Sequence, residues 1–600
     1  MQDTQFDWRP SLALIAIALL FWVSKFAEVS AGIMPGNDDM MRLVQVRDLL
    51  AGQGWYDVDQ SRFITPEGGA MHWSRIPDLF MAAIIVLLTP VIGAGAAETV
   101  AIMAWPMTLL AVTLSMIALI MKRLGAGTLG AALAVFFYLT TKSVLQFWPA
   151  RIDHHGLEIM LVTVAMAALL APRASRMSGV LAGASVAAMV GVAIESLPYA
   201  GLLVAFAGMS WVIRGAGERQ RLAGFGLGAG VMALALYLFD APGPGPARAV
   251  CDAFGNFHLA ALMTGGGLLL GLSMVPERLM DRWQKRLGGG AGAGIATLLV
   301  AGLVAPGCFG SPYAAVDAAA AENWLANVSE ARSIFAVIAT EPEMALSDMG
   351  FALAALIAAG WLLFKTPSGR RLGWTLVAVM ALVSTAVMAW QIRGYLFAHM
   401  FAALAAGALA GRAFQGWREE GGPRPLLIAG LIALSLSPKS WQIAAARLFE
   451  APPASGEVVI DHATTCREAD AYERLAALPA GRVMAPVDLG TSILLRTPHA
   501  IYAAPYHRNG GAIAQATTLF MSPPQSAHAG MVSLEADYFV FCQGLNEFNH
   551  YALAAPGSLA DRLQAGDLPG WLEPADGLTQ TDGVVRVYRV APLETGGDIS

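Results

Sequence analysis

The sequence has little charge. Only 14% of its 600 residues are Asp, Glu, Lys or Arg, whereas 56% are hydrophobic, and the mean hydropathy is +0.55. This composition excludes an ordinary soluble globular protein and indicates a polytopic membrane protein. The net charge of -6 and the lack of a long basic tract exclude a nucleic-acid partner.

Apolar runs of spanning length recur along the chain and predict about thirteen transmembrane helices. The first run, Ser11 to Val29, has no small-residue cleavage site, so we interpret it as a retained helix. The run 78–94 contains Pro90 and is interpreted as an interfacial helix. The predicted spans are 11–29, 96–121, 126–141, 156–172, 177–195, 197–213, 222–240, 253–275, 289–306, 346–364, 373–391, 395–411 and 425–441.

Lys and Arg residues cluster in alternate short loops, from Lys122 and Arg123 to Arg412 and Arg418. The positive-inside rule makes these loops cytoplasmic, which predicts a cytoplasmic N-terminus and an outer C-terminus in a bacterial inner membrane. Residues 1–448 then form a transmembrane domain with periplasmic loops near 30–95, 142–155 and 307–345. Residues 449–600 are more polar and predict a mixed α/β periplasmic domain, with strands at 458–460, 538–541 and 584–590 and a helix near 467–478.

The chain has only four cysteines, and all of them lie on the predicted outer side. Cys251 and Cys308 flank one helical hairpin, and Cys466 and Cys542 belong to the C-terminal domain. An oxidising compartment permits two disulfides, Cys251–Cys308 and Cys466–Cys542. The alternative is four buried thiols.

Unusual polar residues are concentrated in three outer loops. Asp38 and Asp39 lie in the first loop, Asp153 precedes two histidines in the second, and Glu330 lies in the long fifth loop. Together they can converge on a divalent cation, for which oxygen ligands suit Mg²⁺ or Mn²⁺ and an imidazole favours Mn²⁺. The alternative is structural: the aspartates cap helices that start at Met40 and at the first histidine, and Glu330 faces water.

Arg393, in "QIRGYLF", begins an apolar run at the outer leaflet. A cation there either snorkels to lipid head groups or pairs with an anion. The second interpretation predicts a pocket for a lipid-linked phosphate.

These residues resemble the catalytic subunits of oligosaccharyltransferases, which belong to the GT-C class of polyprenyl-dependent membrane glycosyltransferases. "NDDMMRLVQVRDLLAG" at 37–52 is similar to the first-loop motif of that family. The resemblance implies that Asp38 binds a divalent metal, Mn²⁺ or Mg²⁺, and sits beside the acceptor nucleophile, with Asp39 as its catalytic neighbour.

Three further stretches resemble the family in chain order. "RIDHHG" occupies the place of the second acidic motif, which implies that Asp153 and His155 are metal ligands. "NVSEA" occupies the place of the fifth-loop motif and implies a metal-binding and catalytic Glu330, and "QIRGYLF" implies that Arg393 binds the donor phosphate.

The C-terminal domain departs from the family. Its Trp-Trp-Asp-Tyr-Gly motif is missing, and the most similar stretch, "APVDLG" at 485–490, keeps Asp488 but no aromatic residue. With "APYHRNGG" at 504–511, this gives three candidates for acceptor binding: Asp488, His507 and Arg508. The acceptor stays open between a protein site, a lipid and a growing glycan.

The resemblance implies inverting transfer of a glycan from a polyprenyl-pyrophosphate donor to an acceptor at the outer face of the membrane. One alternative is a GT-C transferase that uses a single sugar on a polyprenyl monophosphate. The other is a lipid or glycan transporter, although transporters place ionisable residues at the bilayer midplane and carry internal repeats.

Overall fold

The computed structural model describes residues 6–65, 68–310, 316–449, 466, 472–542, 545–575 and 585–593. Among these residues, eight helices are long and apolar enough to cross a membrane, and a ninth span is formed if the bent pair Pro423–Ser435 and Pro438–Phe449 is one crossing. The eight are Arg9–Ser30, Ala94–Leu124, Ile194–Phe239, Asn256–Met274, Trp283–Val304, Pro342–Lys365, Ser368–Trp390 and Ile392–Glu420.

Four shorter apolar helices complete the helical part: Ile76–Ile92, Gly127–Leu139, His155–Leu169 and Arg176–Val192. The segment Ile194–Phe239 contains two of the predicted spans, joined by the 3-10 turn Gly215–Glu218. The predicted polytopic helical membrane protein is therefore confirmed. The count of thirteen spans stays a prediction, because several of the matching helices are short for a bilayer.

Small residues allow close helix packing. Helices Arg176–Val192 and Arg219–Phe239 cross at Gly179 and Gly183 on one side, where a Cβ on Gly183 would overlap the carbonyl oxygen of Phe225. Such small-residue spacings let helix backbones approach closely in a membrane. Helix Tyr395–Glu420 packs in the same way, through Gly407 and Gly411, and its apolar part as far as Gly411 is almost fully buried.

The C-terminal region contains a five-stranded sheet: β1 Arg482–Met484, β2 Ala500–Ile501, β3 Tyr538–Cys542, β4 Leu572–Pro574 and β5 Val585–Val590, in the order β2-β1-β3-β5-β4. β1 pairs in parallel with β2 and β3, whereas β5 pairs antiparallel with β3 and β4. The strands predicted at 538–541 and 584–590 are thus observed. The strand predicted at 458–460 lies outside the described residues, as do residues 467–471 of the helix predicted at 467–478. The rest of that predicted helix contains the short helix Glu473–Ala476.

Helices surround this sheet and complete the mixed α/β unit. They are Glu473–Ala476, Gly490–Arg496, Gly510–Phe520, Pro524–Ser533, Asn546–Ala554 and Leu559–Gln564. Both cysteine pairs are joined, with Cα–Cα distances of 5.1 Å for Cys251–Cys308 and 6.1 Å for Cys466–Cys542. The first disulfide links the segment around Cys251 to the 3-10 turn Pro306–Phe309, and the second reaches the end of β3.

Three loops position the polar residues. The first contains helix Asn37–Leu50, the second contains the 3-10 turn Lys142–Phe147 and leads into helix His155–Leu169, and the fifth contains helices Ala318–Asn323 and Ile334–Thr340. The C-terminal unit packs on the first loop: Arg47 donates to the carbonyl oxygen of Leu495, and Arg62 to those of Leu494 and Thr497.

Candidate active site

A cavity of about 400 Å³ opens where these loops, the helix ends and the C-terminal unit meet. Five of the predicted site residues line it: Asp38, His155, Glu330, Arg393 and His507. Asp38 and His507 are 469 positions apart in the sequence. The other four predicted residues, Asp39, Asp153, Asp488 and Arg508, do not line the cavity.

Asp38 and Asp39 lie in the first turn of helix Asn37–Leu50 and not at its cap. The helix begins three residues earlier than the capping interpretation requires, its cap residue is Gly36, and no side chain caps it. Consecutive positions on a helix point about 100° apart, so the two carboxylates face different surroundings. Asp38 faces the cavity, whereas Asp39 is fully buried against the second loop.

Asp39 organises the second loop. Its Oδ1 accepts hydrogen bonds from the backbone N–H groups of Ile152 (2.7 Å) and Asp153 (3.0 Å), and its Oδ2 lies 3.1 Å from Arg151. Arg151 also contacts Asp153, at 3.0 Å. Arg151 stands two positions before Asp153 in "RIDHHG", but sequence reasoning missed it because nothing in the pattern indicates a cation between two carboxylates.

The helix after Asp153 begins one residue later than the capping interpretation requires and has His154 as its cap residue, but Asp153 Oδ1 still accepts the backbone N–H of His155 at 3.0 Å. Burial raises the pKa of Asp153, but the charges of Arg151 and the two neighbouring histidines outweigh burial and hold the pKa below its ordinary value. Asp153 is therefore ionised at neutral pH.

The pKa of Asp38 is shifted in the opposite direction from that of Asp153. Burial, followed by the negative charges of Asp153 and Glu330, raises its pKa to about 7, against the opposing effects of Arg151 and His155. A carboxyl group with a pKa near neutrality can accept or release a proton under physiological conditions. Tyr506 flanks this carboxylate from the C-terminal unit and donates to the backbone carbonyl oxygen of Asn37 at 3.2 Å.

A second polar group lies at the helix ends. His155 Nδ1 is 2.8 Å from Glu195 Oε1 and 3.2 Å from Glu158 Oε2, and His154 Nε2 is 3.7 Å from the same oxygen of Glu195. Glu195 Oε2 in turn lies 3.1 Å from Arg393. Sequence reasoning missed Glu195, although a carboxylate at the end of an apolar run is the signal by which it could have been found.

Arg393 occupies the 3-10 turn Ile392–Gly394, and its side chain is 23% exposed. Its Nε donates to Gln391 Oε1 at 3.1 Å, and its guanidinium faces the cavity beside Glu195. The guanidinium thus pairs with a carboxylate inside the protein, whereas the phosphate pocket stays a prediction.

The candidates from the C-terminal unit contact two different segments of the helical part. Asp488 Oδ1 accepts a hydrogen bond from the side chain of Asn37, at 3.3 Å, directly beside Asp38. His507 and Arg508 both contact Asp252, with His507 Nε2 at 2.8 Å and a bidentate pair from Arg508 at 2.7 and 2.9 Å. Asp252, which follows Cys251, was also missed by sequence reasoning.

We expect Asp252→Asn to destabilise the protein at neutral pH but not in acid. Burial opposes ionisation, yet the hydrogen bonds from His507 and Arg508 lower the pKa of Asp252 below its ordinary value. A lowered folded-state pKa gives stability that is present above about pH 4 and is lost as the pH falls through the folded pKa. Because Asp252 is partly exposed, we expect a loss of about 1–2 kcal/mol.

The measurement is the melting temperature of the wild type and Asp252→Asn between pH 7 and pH 2. The difference between the two proteins should shrink below about pH 4. A difference that is constant over the whole range would show that the ionised carboxylate does not hold this contact.

Comparison with solved structures identifies the fold. The fold is that of a GT-C membrane glycosyltransferase of the oligosaccharyltransferase type. The particular match is the oligosaccharyltransferase of Archaeoglobus fulgidus. Its apo form has a TM-score of 0.63 and 15% identity, and the alignment covers 94% of this chain and 73% of that chain.

Two further structures of the archaeal enzyme match in the same way. The complex with an inhibitory peptide and a dolichol-phosphate has a TM-score of 0.64 and 14% identity, covering 94% of this chain and 72% of that one. The complex with Zn and sulfate has a TM-score of 0.61 and 15% identity, covering 97% and 74%. No protein-family model and no curated protein sequence matches the chain.

Proposed function

We propose that this protein transfers a glycan, with inversion, from a polyprenyl-pyrophosphate donor to an acceptor at the outer face of a bacterial inner membrane. One observation carries the proposal: in a fold shared with an archaeal oligosaccharyltransferase, a single cavity is lined by Asp38, Glu330 and Arg393. Such a transfer needs a carboxylate, a second carboxylate from a long loop, and a guanidinium.

Each of these groups has a chemical role in the proposed reaction. Asp38, with its raised pKa, accepts a hydrogen bond from the acceptor nucleophile and orients it for in-line attack. Arg393 binds the donor phosphate and stabilises the charge that develops on the leaving group. Inversion requires no covalent intermediate on the protein.

A divalent cation fits the residues around Asp38. Asp38, Asp153 and Glu330 repel one another strongly enough that the charges of the other two help to raise the pKa of Asp38. A cation held by these three carboxylates and His155 would relieve that repulsion and would offset charge on the phosphate. The carboxylate and imidazole donors suit Mn²⁺ or Mg²⁺, with Mn²⁺ favoured by the histidine.

The cysteines and the basic loops support an outer, periplasmic location for the cavity. In the predicted topology, both disulfides lie on the same side of the membrane as the cavity, and an oxidising periplasm permits them. The partners are then a polyprenyl-linked donor in the membrane and a protein, lipid or glycan acceptor. Asp488, His507 and Arg508 are candidates to contact that acceptor, because they join the C-terminal unit to the cavity region.

The proposal is tested with purified protein and lipid extract from its own cells, with and without Mn²⁺. Mass spectrometry measures whether a polyprenyl-linked sugar is consumed and how many phosphates remain on the released carrier. Release of a pyrophosphate carrier that depends on the metal supports the proposal. A monophosphate carrier would assign the protein to the single-sugar GT-C enzymes, and no consumption would make transport the function to test next.

Glu330→Gln should reduce turnover more than donor binding. Glu330 lies in the 3-10 turn Ser329–Ala331 of the long fifth loop, and loops over active sites often close after the substrate binds. Loss of a carboxylate that engages only in the closed state lowers kcat, whereas Kd for the donor is set earlier. Donor binding and single-turnover transfer are measured on the same preparation. Equal losses in both would contradict this role.

A further inference from the structure

Asn37, the residue immediately before Asp38, contacts the C-terminal unit through three of its atoms. Thr491 Oγ1 donates to Asn37 Oδ1 at 2.8 Å, and Asn37 Nδ2 donates to Asp488 Oδ1 at 3.3 Å. Tyr506 donates to the backbone carbonyl oxygen of Asn37 at 3.2 Å. The side-chain amide thus meets a donor at its oxygen and an acceptor at its nitrogen, so only one orientation of the amide satisfies both contacts.

Thr491 belongs to a short helix that packs on the first loop. It is fully buried in helix Gly490–Arg496. The same helix contacts the chain before and after Asn37: Arg496 Nη2 donates to the carbonyl oxygen of Gly32 at 2.9 Å, and Ser492 Oγ lies 3.3 Å from Met40 Sδ. The start of the first-loop helix is therefore held against the C-terminal unit.

Asp38 lies between two residues that are fixed from different directions. Asp39 accepts hydrogen bonds from the second loop, at the N–H groups of Ile152 and Asp153. Asn37 is bonded to the C-terminal unit. A reacting side chain keeps its working geometry only when the residues around it are themselves locked by hydrogen bonds. Fixing the backbone on both sides of Asp38 fixes the direction in which its carboxylate faces the cavity.

We propose that Asn37 is a positioning residue for Asp38. Its amide, held by Thr491 and Asp488, makes the orientation of the neighbouring carboxylate depend on the C-terminal unit. This inference rests on the proposed function, in which Asp38 orients the acceptor. It gives the C-terminal unit a part in the transfer step through a residue that does not line the cavity. Loss of the contact should lower kcat and leave the Kd for the donor unchanged, because the donor phosphate is assigned to Arg393.

The test compares Thr491→Val with Thr491→Ser in the full-length protein. Val keeps the shape of Thr but cannot donate to Asn37, whereas Ser keeps the hydroxyl and loses only the methyl group. Thr491→Val should lower kcat by about tenfold or more, as a misplaced catalytic group does, with an unchanged Kd for donor purified from the lipid extract. Thr491→Ser should stay within about threefold of the wild type, because it can still form the hydrogen bond.

Thr497→Val is the matched control. Thr497 is a buried threonine at the end of the same helix, but its hydroxyl donates to the carbonyl oxygen of Ile493 and not to the first loop. This variant should transfer sugar at the wild-type rate. Equal losses in Thr497→Val and Thr491→Val, or a Thr491→Ser variant as slow as Thr491→Val, would show that packing of the helix matters and not the contact to Asn37, and would overturn the proposal.

Hydrogen–deuterium exchange measures the contact without any sugar transfer. In the peptide that covers the start of helix Asn37–Leu50, Thr491→Val should speed exchange by about fivefold, the factor for one lost hydrogen bond. Unchanged exchange overturns the contact, and faster exchange with unchanged kcat overturns its role in transfer. A wild type that transfers no sugar refutes the proposed function and with it this role of Asn37, but the exchange result still decides whether Thr491 holds Asn37.

Asn37→Ala provides a second variant, and melting temperatures identify any variant that fails to fold. Asn37→Ala should lower kcat at least as much as Thr491→Val. Adding Thr491→Val to Asn37→Ala should cause no further loss, because both changes remove the same contact. Losses that add in the double variant would show that Thr491 acts on transfer by another route, and would overturn the proposal.

Discussion

Asp38→Asn is expected to reduce sugar transfer by about 10²–10⁴-fold, the range for removing a positioned acid or base. Asn has the same shape as Asp but cannot take a proton or hold a full negative charge. The effect should be large because Asp38 faces the cavity, where we propose that its carboxylate orients the acceptor and helps to hold the cation.

The fold should not change. Removing a charge that burial and two neighbouring carboxylates disfavour relieves repulsion, so the melting temperature of Asp38→Asn should equal or exceed that of the wild type. The matched control is Asp57→Asn, the same substitution at an exposed position in the same outer loop. Transfer is measured by consumption of the polyprenyl-linked donor. Activity within a few fold of the wild type would remove Asp38 from the proposed mechanism.

Much of the architecture could be predicted because it depends on local composition. Apolar runs of about twenty residues dictate helices, and every long apolar helix of the structure begins or ends near a predicted span. The strands at Tyr538–Cys542 and Val585–Val590 were evident from runs of β-branched and aromatic residues. The number of crossings could not be fixed in the same way, since helices such as Gly127–Leu139 are too short to decide it alone.

Site residues could be predicted where they belong to a motif that resembles the family. Residues that matter only through a charged partner in another loop could not. Asp38, Glu330 and Arg393 were chosen from motifs and do line one cavity. Arg151 and Glu195 were not chosen, because their importance depends on which charges the fold places beside them. A single sequence gives spacing along the chain, but pairings between loops arise only from tertiary packing.

Asp39 illustrates this difference, since its sequence position suggested catalysis whereas its contacts suggest support for the second loop. Asp39→Ala would leave two buried backbone N–H groups, of Ile152 and Asp153, without an acceptor, at about 1–3 kcal/mol each. Arg151 would also lose one of its two carboxylates. We expect a lower melting temperature and a large loss of transfer, because the loop that carries Asp153 would no longer be fixed.

Asp39→Asn distinguishes a positioning role from a chemical one. The Asn oxygen can still accept from Ile152 and Asp153, but the Asn amide nitrogen replaces the oxygen that accepts from Arg151, so this contact is lost, at about 1.5–3 kcal/mol. If Asp39 acts by holding the loop, Asp39→Asn should keep transfer within about tenfold of the wild type, in contrast to Asp38→Asn. If Asp39→Asn is as inactive as Asp39→Ala while its melting temperature stays close to that of the wild type, the carboxylate itself takes part in the reaction.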